Sequence, residues 1–220
     1  MASAEARLVH PQDSLIQLLT PPFDTSLPHP GYIMGYPPGV RENGGQYTHG
    51  ALWFAQARAR LNQGSDAVRL LQMMNPAERT HTSAAVSKYR GEPYAVAADV
   101  SFSPARIGRS GWTWYTGSAG WMYRIWLEDV LGFQLQGDRL RIKPAIPADW
   151  PGFELRYRYK SSTYRIAVTQ SPHSDRVGIE VVCDGRICAE GIIELVNDGN
   201  EHSVAVAVGV ETLAPALSNR

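Results

Sequence analysis

The chain has 220 residues, of which 44% are hydrophobic, enough to bury a core in one or two domains. Its 21 basic and 21 acidic residues cancel, and no basic run occurs, which argues against a surface dedicated to nucleic acid. No run of 18 apolar residues occurs, and the N-terminal segment lacks the features of a signal peptide, so we expect a cytoplasmic globular protein.

The first part of the chain, up to about residue 132, combines helical spacing of apolar residues with loops rich in glycine and proline. The predicted helices are 5–19, 47–62, one that Ser65 caps and Pro76 ends, 83–90, and 116–131. Between the first two helices, residues 20–45 contain six prolines, so no regular element is expected there. A loop of that length is usually functional, and helices joined by such loops suggest part of an α-helical barrel.

From Leu140 onward, apolar residues alternate with polar ones, which is typical of β-strands. The candidate strands are LRIKP, FELRYRYK, TYRIAVTQ, VGIEVVC, ICAEGIIEL and HSVAVAVGV. Short strands with close turns favour an antiparallel β-sandwich over 133–212, followed by a tail at 213–220. The fold class is therefore predicted as α+β. Cys183 and Cys188 are expected to be free thiols rather than a disulfide.

Three of the six tryptophans, Trp112, Trp114 and Trp121, lie in the stretch GWTWYTGSAGWMYR. Indoles beside glycines offer flat apolar surfaces on which a sugar ring can stack, with polar partners at the rim. The alternative is that all three are core aromatics.

The same stretch and a histidine further upstream suggest an anion site. Thr116, Gly117 and Ser118 stand where a loop becomes a helix, and free N–H groups with a hydroxyl can hold phosphate. His49 is a second candidate donor near the start of another helix. The alternatives are an ordinary helix cap and a histidine bonded to a loop carbonyl.

Arg41, Glu42 and Asn43 form a polar trio that can hold sugar hydroxyls, although a solvated surface ion pair is the other interpretation. The remaining acids of the central loops, Glu92 and Asp99, have no obvious partner in the sequence. No general acid can therefore be assigned from spacing.

Two stretches, YPPGVRENGGQYTHGALW and GRSGWTWYTGSAGWMYR, resemble the C-terminal part of glycoside hydrolase family 94, formerly a glycosyltransferase family. LLTPPFD, NPAERT and KYRGEPYAVAADV fit the subgroup that contains the phosphorylase-like module of cyclic β-1,2-glucan synthases, and the resemblance covers about residues 10–200. It implies an (α/α)6 barrel followed by a β-sandwich, with 1–132 as the C-terminal portion of the barrel. It also implies inverting phosphorolysis without a metal or organic cofactor.

Carried over residue by residue, the resemblance implies that His49, Thr116 and Gly117 bind phosphate. It implies that Glu42 and the neighbouring Arg41 lie on the acceptor-sugar side, where Trp112 and Trp114 would supply the platform. The disaccharide phosphorylases of the family have a glutamine near the position of Ala98, so that phosphate contact is expected to be absent here.

The family's catalytic aspartate and phosphate-binding arginine lie upstream of the matching stretches, so we expect a fragment that is inert alone. The expected partners are inorganic phosphate or a sugar 1-phosphate, a β-linked glucan oligosaccharide, and an upstream chain that completes the barrel and carries any membrane association. The alternatives are a stand-alone carbohydrate-binding module and a non-functional remnant.

Overall fold

The computed structural model describes residues 1–114, 116–171 and 178–209. Its chain contacts separate two compact units, Met1–Trp126 and Leu127–Arg220, which we call the first and second unit. Helices dominate the first and strands the second, so the α+β class is confirmed. The predicted tail, 213–220, lies outside the described residues.

The first unit consists of helices connected by long irregular segments. Its α-helices are α1 (Ala2–Leu8), α2 (Thr48–Arg60), α3 (Gly64–Met74), α4 (Ser83–Tyr89) and α5 (Ser118–Arg124), and α5 continues into a π-helix at Ile125–Val130. Two short antiparallel strand pairs join β1 (Val9–His10) to β2 (Leu15–Ile16) and β3 (Gln46–Tyr47) to β4 (Asp99–Val100).

Three of the helix predictions need correction. The first helix ends at Leu8 rather than at residue 19, because Pro11 has no N–H to donate and disfavours helical geometry in the residue before it. Ser65 does not cap α3, which begins one residue earlier and has no side-chain cap. The segment predicted as one α-helix over 116–131 is α-helical only from Ser118 and changes to π geometry at Ile125.

Both α2 and α3 bury an apolar face, as expected of helices with apolar residues at helical spacing. Ala51, Ala55 and Ala59 are buried on α2, which packs against α3 and α5. Small side chains on this face suit close packing between helices. On α3, five apolar residues are buried: Ala67, Val68, Leu70, Leu71 and Met74.

The second unit contains two sheets. The strands are β5 (Phe133–Gln136), β6 (Arg139–Ile142), β7 (Gly152–Tyr159), β8 (Ser162–Ser171), β9 (Gly178–Cys183), β10 (Arg186–Ile187), β11 (Ile192–Glu194) and β12 (Glu201–Gly209). They form sheets of order β10-β9-β12-β8-β7 and β11-β6-β5. One pair, β8 with β12, is parallel, so the prediction of an all-antiparallel arrangement is wrong there.

Residues from both sheets of the second unit share one hydrophobic core. It contains Leu140 and Ile193 from the smaller sheet and Tyr164, Ile166 and Val204 from the larger, each no more than 1% exposed. Cys183 and Cys188 are both free thiols, as expected. Among the residues described, no helix is long and apolar enough to cross a bilayer.

Candidate phosphate and sugar site

The 36–45 loop is folded around the side chain of Asn43, which is fully buried. Its amide oxygen accepts the Phe23 N–H at 2.7 Å, while its NH₂ group donates to the carbonyls of Phe23 and Tyr36 at 2.8 and 2.7 Å. The amide is therefore committed to the loop itself. Of the predicted polar trio, Asn43 therefore has no free N–H to offer a sugar hydroxyl, and Arg41 and Glu42 stay candidates.

Glycine is required at the end of this loop. The Gly45 N–H donates to the Arg41 carbonyl at 3.1 Å, and a Cβ on Gly45 would lie 2.8 Å from that oxygen. The base of the loop is fixed from outside, because Leu18 N–H donates to the Gly45 carbonyl at 2.9 Å and Gln17 Nε2 to the Gly44 carbonyl at 2.8 Å. Arg41 and Glu42 thus lie on a turn that hydrogen bonds hold in place.

The β3–β4 pair brings three separate stretches of the chain side by side. Tyr47 is in register with Asp99, and the Thr48 N–H donates to the Ala98 carbonyl at 2.8 Å. On the other side, the Ala98 N–H donates to the Trp112 carbonyl at 2.6 Å. The start of α2 and the tryptophan-rich segment are therefore connected through the backbone of Ala98 and Asp99.

The three residues predicted to bind phosphate lie together. His49 is in the first turn of α2, and its Nδ1 lies 3.5 Å from Ser118 Oγ. Thr116 Oγ1 accepts the Ser118 N–H at 3.1 Å and lies 2.8 Å from Ser118 Oγ. A Cβ on Gly117 would lie only 3.2 Å from His49 Nε2. The imidazole, the Thr116 hydroxyl and the bare backbone of Gly117 therefore lie next to one another.

The Arg41 and Glu42 side chains have incomplete polar contacts. Arg41 Nε lies 3.8 Å from Asp99 Oδ1, and the guanidinium lies over the Tyr36 ring at 5.6 Å. Glu42 Oε2 is buried and has no hydrogen-bond partner among the described residues, and neither has Arg41 Nε. Buried polar atoms are normally satisfied, so these two atoms are exceptions to that rule.

The tryptophans divide between exposed and packed positions. Trp112 and Trp114 are 51% and 58% exposed, so the core interpretation is wrong for both. The Trp114 Nε1–H donates to Glu92 Oε1 at 3.1 Å. Trp121, in contrast, is half-buried and packs edge-on against Trp53 with ring centroids 5.9 Å apart. Only the first two can offer an open aromatic face.

Sequence reasoning missed the roles of Asp99 and Glu92. Burial raises the pKa of the Asp99 carboxyl, while the Trp112 N–H and Arg41 act in the opposite direction and Glu42 adds to the rise. Hydrogen bonds from its own backbone N–H and from Thr113 and Trp114 lower the pKa of Glu92. The one signal in the sequence is a carboxylate inside the otherwise apolar run AVAADV, which indicates a buried acid with a partner elsewhere.

Within the described ranges, no group of three or more His, Cys, Asp or Glu side chains is arranged to hold a metal ion. The site is built instead from a histidine, hydroxyls, one arginine, carboxylates and exposed indoles. This set is suited to an oxyanion and a polyhydroxylated ring.

A family model described as the catalytic domain of the glycosyl hydrolase 94 superfamily matches residues 1–132, and the chain belongs to this superfamily. It is 45% identical over 181 residues to cyclic beta-(1,2)-glucan synthase NdvB of Rhizobium meliloti (strain 1021). The aligned residues make up 82% of this chain and 6% of the synthase. It is 31% identical over 192 residues to solabiose phosphorylase of Paenibacillus borealis, covering 86% of this chain and 24% of the enzyme.

A third relative is N,N'-diacetylchitobiose phosphorylase of Vibrio proteolyticus, 29% identical over 198 residues, with 88% of this chain and 24% of the enzyme covered. The chain thus spans a quarter or less of the length of these relatives. The relatives are glycoside phosphorylases and a β-glucan synthase, which supports a carbohydrate-active role.

Proposed function

We propose that the first unit carries the phosphate side and the acceptor-sugar side of a family 94 glycoside phosphorylase or glycosyltransferase site. The observation that carries this proposal is the convergence of His49, Thr116 and Gly117, which come from segments far apart in the sequence. A purely structural cap at α5 does not require an imidazole 3.2 Å from the place where a Gly117 side chain would begin.

The reaction is inverting phosphorolysis of a β-linked glucan, or its reverse. An oxygen of inorganic phosphate attacks the anomeric carbon, the glycosidic C–O bond breaks, and the departing oxygen takes a proton from a carboxylic acid. The products are a sugar 1-phosphate of inverted configuration and the remaining glucan. His49 and the Thr116 hydroxyl donate to phosphate oxygens, and Gly117 lets the anion approach the backbone.

The sugar side consists of Arg41, Glu42, Trp112 and Trp114. A sugar hydroxyl supplies the hydrogen bond that Glu42 Oε2 lacks, and the exposed indoles receive the apolar face of a ring. The 45% identity to a cyclic β-(1,2)-glucan synthase favours β-1,2-linked glucose as the substrate.

We assign no general acid to the described residues. Asp99 is occupied by the Trp112 N–H and Arg41, and Glu92 by the Trp114 indole. The proton donor is expected from a part of the catalytic domain outside the matched stretches, so this chain by itself should bind its ligands without turning them over.

For the architecture, we propose that residues 1–132 are the C-terminal helices of an (α/α)6 barrel and that 133–212 form a β-sandwich. The family match over 1–132 and the core shared by two sheets support this division. An upstream polypeptide would complete the barrel.

Binding is the property to test. Calorimetric titration of the chain with sodium phosphate and, separately, with a β-1,2-gluco-oligosaccharide should give saturable binding of both. His49→Ala should weaken phosphate binding by about tenfold or more, the effect of losing a charge-assisted hydrogen bond. His81→Ala, at an exposed histidine, is the matched control and should bind like the wild type. Phosphate binding that is unaffected by His49→Ala would refute the assignment.

A stand-alone carbohydrate-binding role is the second candidate, and the exposure of Trp112 and Trp114 favours it. Such a module would bind the oligosaccharide and lose this binding in Trp112→Ala, yet would show no affinity for phosphate. The same two titrations therefore separate the two functions.

A further inference from the structure

Asp99 occupies an unusual position between the two segments of the sugar side. It is 5% exposed, and its Oδ1 accepts the Trp112 N–H at 3.1 Å. The same oxygen lies 3.8 Å from Arg41 Nε. Next to it, Gly111 has no side chain, and a Cβ there would fall on the Asp99 carboxylate. One carboxylate therefore contacts both the arginine loop and the tryptophan segment.

The backbone does not need this carboxylate to hold the two segments together. The Asp99 carbonyl already accepts the Gly111 N–H at 2.9 Å, and Asp99 pairs with Tyr47 in the β3–β4 ladder. An apolar β-branched residue would suit a buried strand position better, because burying a carboxylate is unfavourable unless it is fully paired.

Asp99 lies close to Arg41 but does not form a hydrogen bond to it. Its distance to Arg41 is that of an ion pair but not of a hydrogen bond, and Arg41 Nε is left without a hydrogen-bond partner among the described residues. A second acid, Glu42, acts on Asp99 by charge repulsion and raises its pKa further. A buried carboxylate that attracts an arginine without closing the bond biases the direction of the guanidinium.

We propose that Asp99 is a positioning residue for saccharide binding, which orients Arg41 and the Trp112 backbone toward the same bound sugar. This inference rests on the function proposed above. Asp99 acts through these two residues and does not itself touch the ligand. The saccharide side depends on it, whereas the phosphate side around His49 does not.

Asp99→Asn tests the inference because the amide keeps the size and an oxygen acceptor for the Trp112 N–H, while it removes the charge and replaces the second oxygen by an NH₂ group. Oligosaccharide affinity should fall by about tenfold, a typical coupling between contacting groups, with phosphate affinity changed by less than about twofold. Asp149→Asn, at an exposed aspartate of the second unit, is the matched control and should leave both affinities unchanged.

A double-mutant cycle shows whether Asp99 acts through Arg41. If it does, Asp99→Asn combined with Arg41→Gln should bind the oligosaccharide no more weakly than Arg41→Gln alone. A ligand-free readout accompanies it: in protein labelled with ¹⁵N-tryptophan, the Trp112 amide proton should shift in Arg41→Gln, because the charge on its acceptor is no longer balanced.

The outcomes separate the two proposals. If the wild type binds oligosaccharide and Asp99→Asn binds it equally well, the positioning role is wrong and the proposed function stands. If both affinities and the melting temperature fall together, or the two substitutions add independently, Asp99 is structural only and the inference is overturned. If the wild type binds neither ligand, the proposed function fails and this inference fails with it.

Discussion

Gly117→Ala should separate phosphate binding from stability. The backbone at Gly117, with φ −77° and ψ −3°, is open to any L-residue, and the position is exposed. The added Cβ would lie 3.2 Å from His49 Nε2 and 3.6 Å from Cε1. A phosphate oxygen accepting a bond from that nitrogen needs the space within about 2.7–2.9 Å, so the methyl group and the anion compete for one place.

Two effects of Gly117→Ala on the free energy of unfolding oppose one another. Replacing glycine by alanine at a compatible conformation stabilises a fold by about 0.4–1 kcal/mol, and crowding against the imidazole offsets part of this gain. The free energy of unfolding should therefore change by less than about 1 kcal/mol, while phosphate affinity falls by about tenfold or more. Gly120→Ala is the matched control, because no atom lies within 4 Å of its Cβ position in α5.

The assay is thermal unfolding with and without sodium phosphate. At a concentration tenfold above its Kd, phosphate should stabilise the wild type and Gly120→Ala by about 1.4 kcal/mol, which raises the Tm of a unit of this size by roughly 5 °C. Gly117→Ala should melt near the wild-type temperature and show almost no rise. An undiminished rise in Gly117→Ala would refute the placement of phosphate between His49 and Gly117.

Three further outcomes are expected. Asn43→Ala removes three hydrogen bonds that hold the 36–45 loop, so denaturant titration should show a loss of about 2–4 kcal/mol, together with weaker oligosaccharide binding. Ile166→Ala should destabilise the second unit by about 2–5 kcal/mol in the same assay, because it empties part of the shared core. The second unit should also melt highest between about pH 4 and 6.5. Hydrogen bonds to Asp184 and Asp198 raise the pKa of His202, so that stabilisation is lost as pH rises through the raised value. The bond from His202 lowers the pKa of Asp184, so that stabilisation is lost as pH falls through the lowered value. Tm measured from pH 3 to 9 should fall at both ends of this range, and His202→Gln should remove the fall at the alkaline end.

Much of the helical part follows from local signals. The helices α2 and α3 are predicted because apolar residues recur at helical spacing, and the break of the first helix at Pro11 was available from the same kind of local rule. The two-residue strands β3 and β4 could not be predicted. They exist only because the start of α2 and the AVAADV run pair across a long stretch of chain.

The second unit shows the same limit. Alternation identified the longer strands, but β5 was missed, and the parallel pairing of β8 with β12 depends on strand order, which a local pattern does not encode. At the site, His49, Thr116 and Gly117 lie beside one another in the structure, while their binding of phosphate stays a prediction. Asp99 had no visible partner, because its partners Arg41 and Trp112 are brought to it by loops whose course the sequence does not reveal.

The most direct test of the account is to locate both ligands by backbone amide chemical shifts in ¹⁵N-labelled protein. Sodium phosphate should shift the amides of His49, Thr116 and Gly117, and the β-1,2-gluco-oligosaccharide those of Arg41, Glu42 and Trp112, with the second unit unchanged. Shifts confined to the second unit, or no saturable shifts with either ligand, would contradict the assignment of a phosphate and sugar site to the first unit.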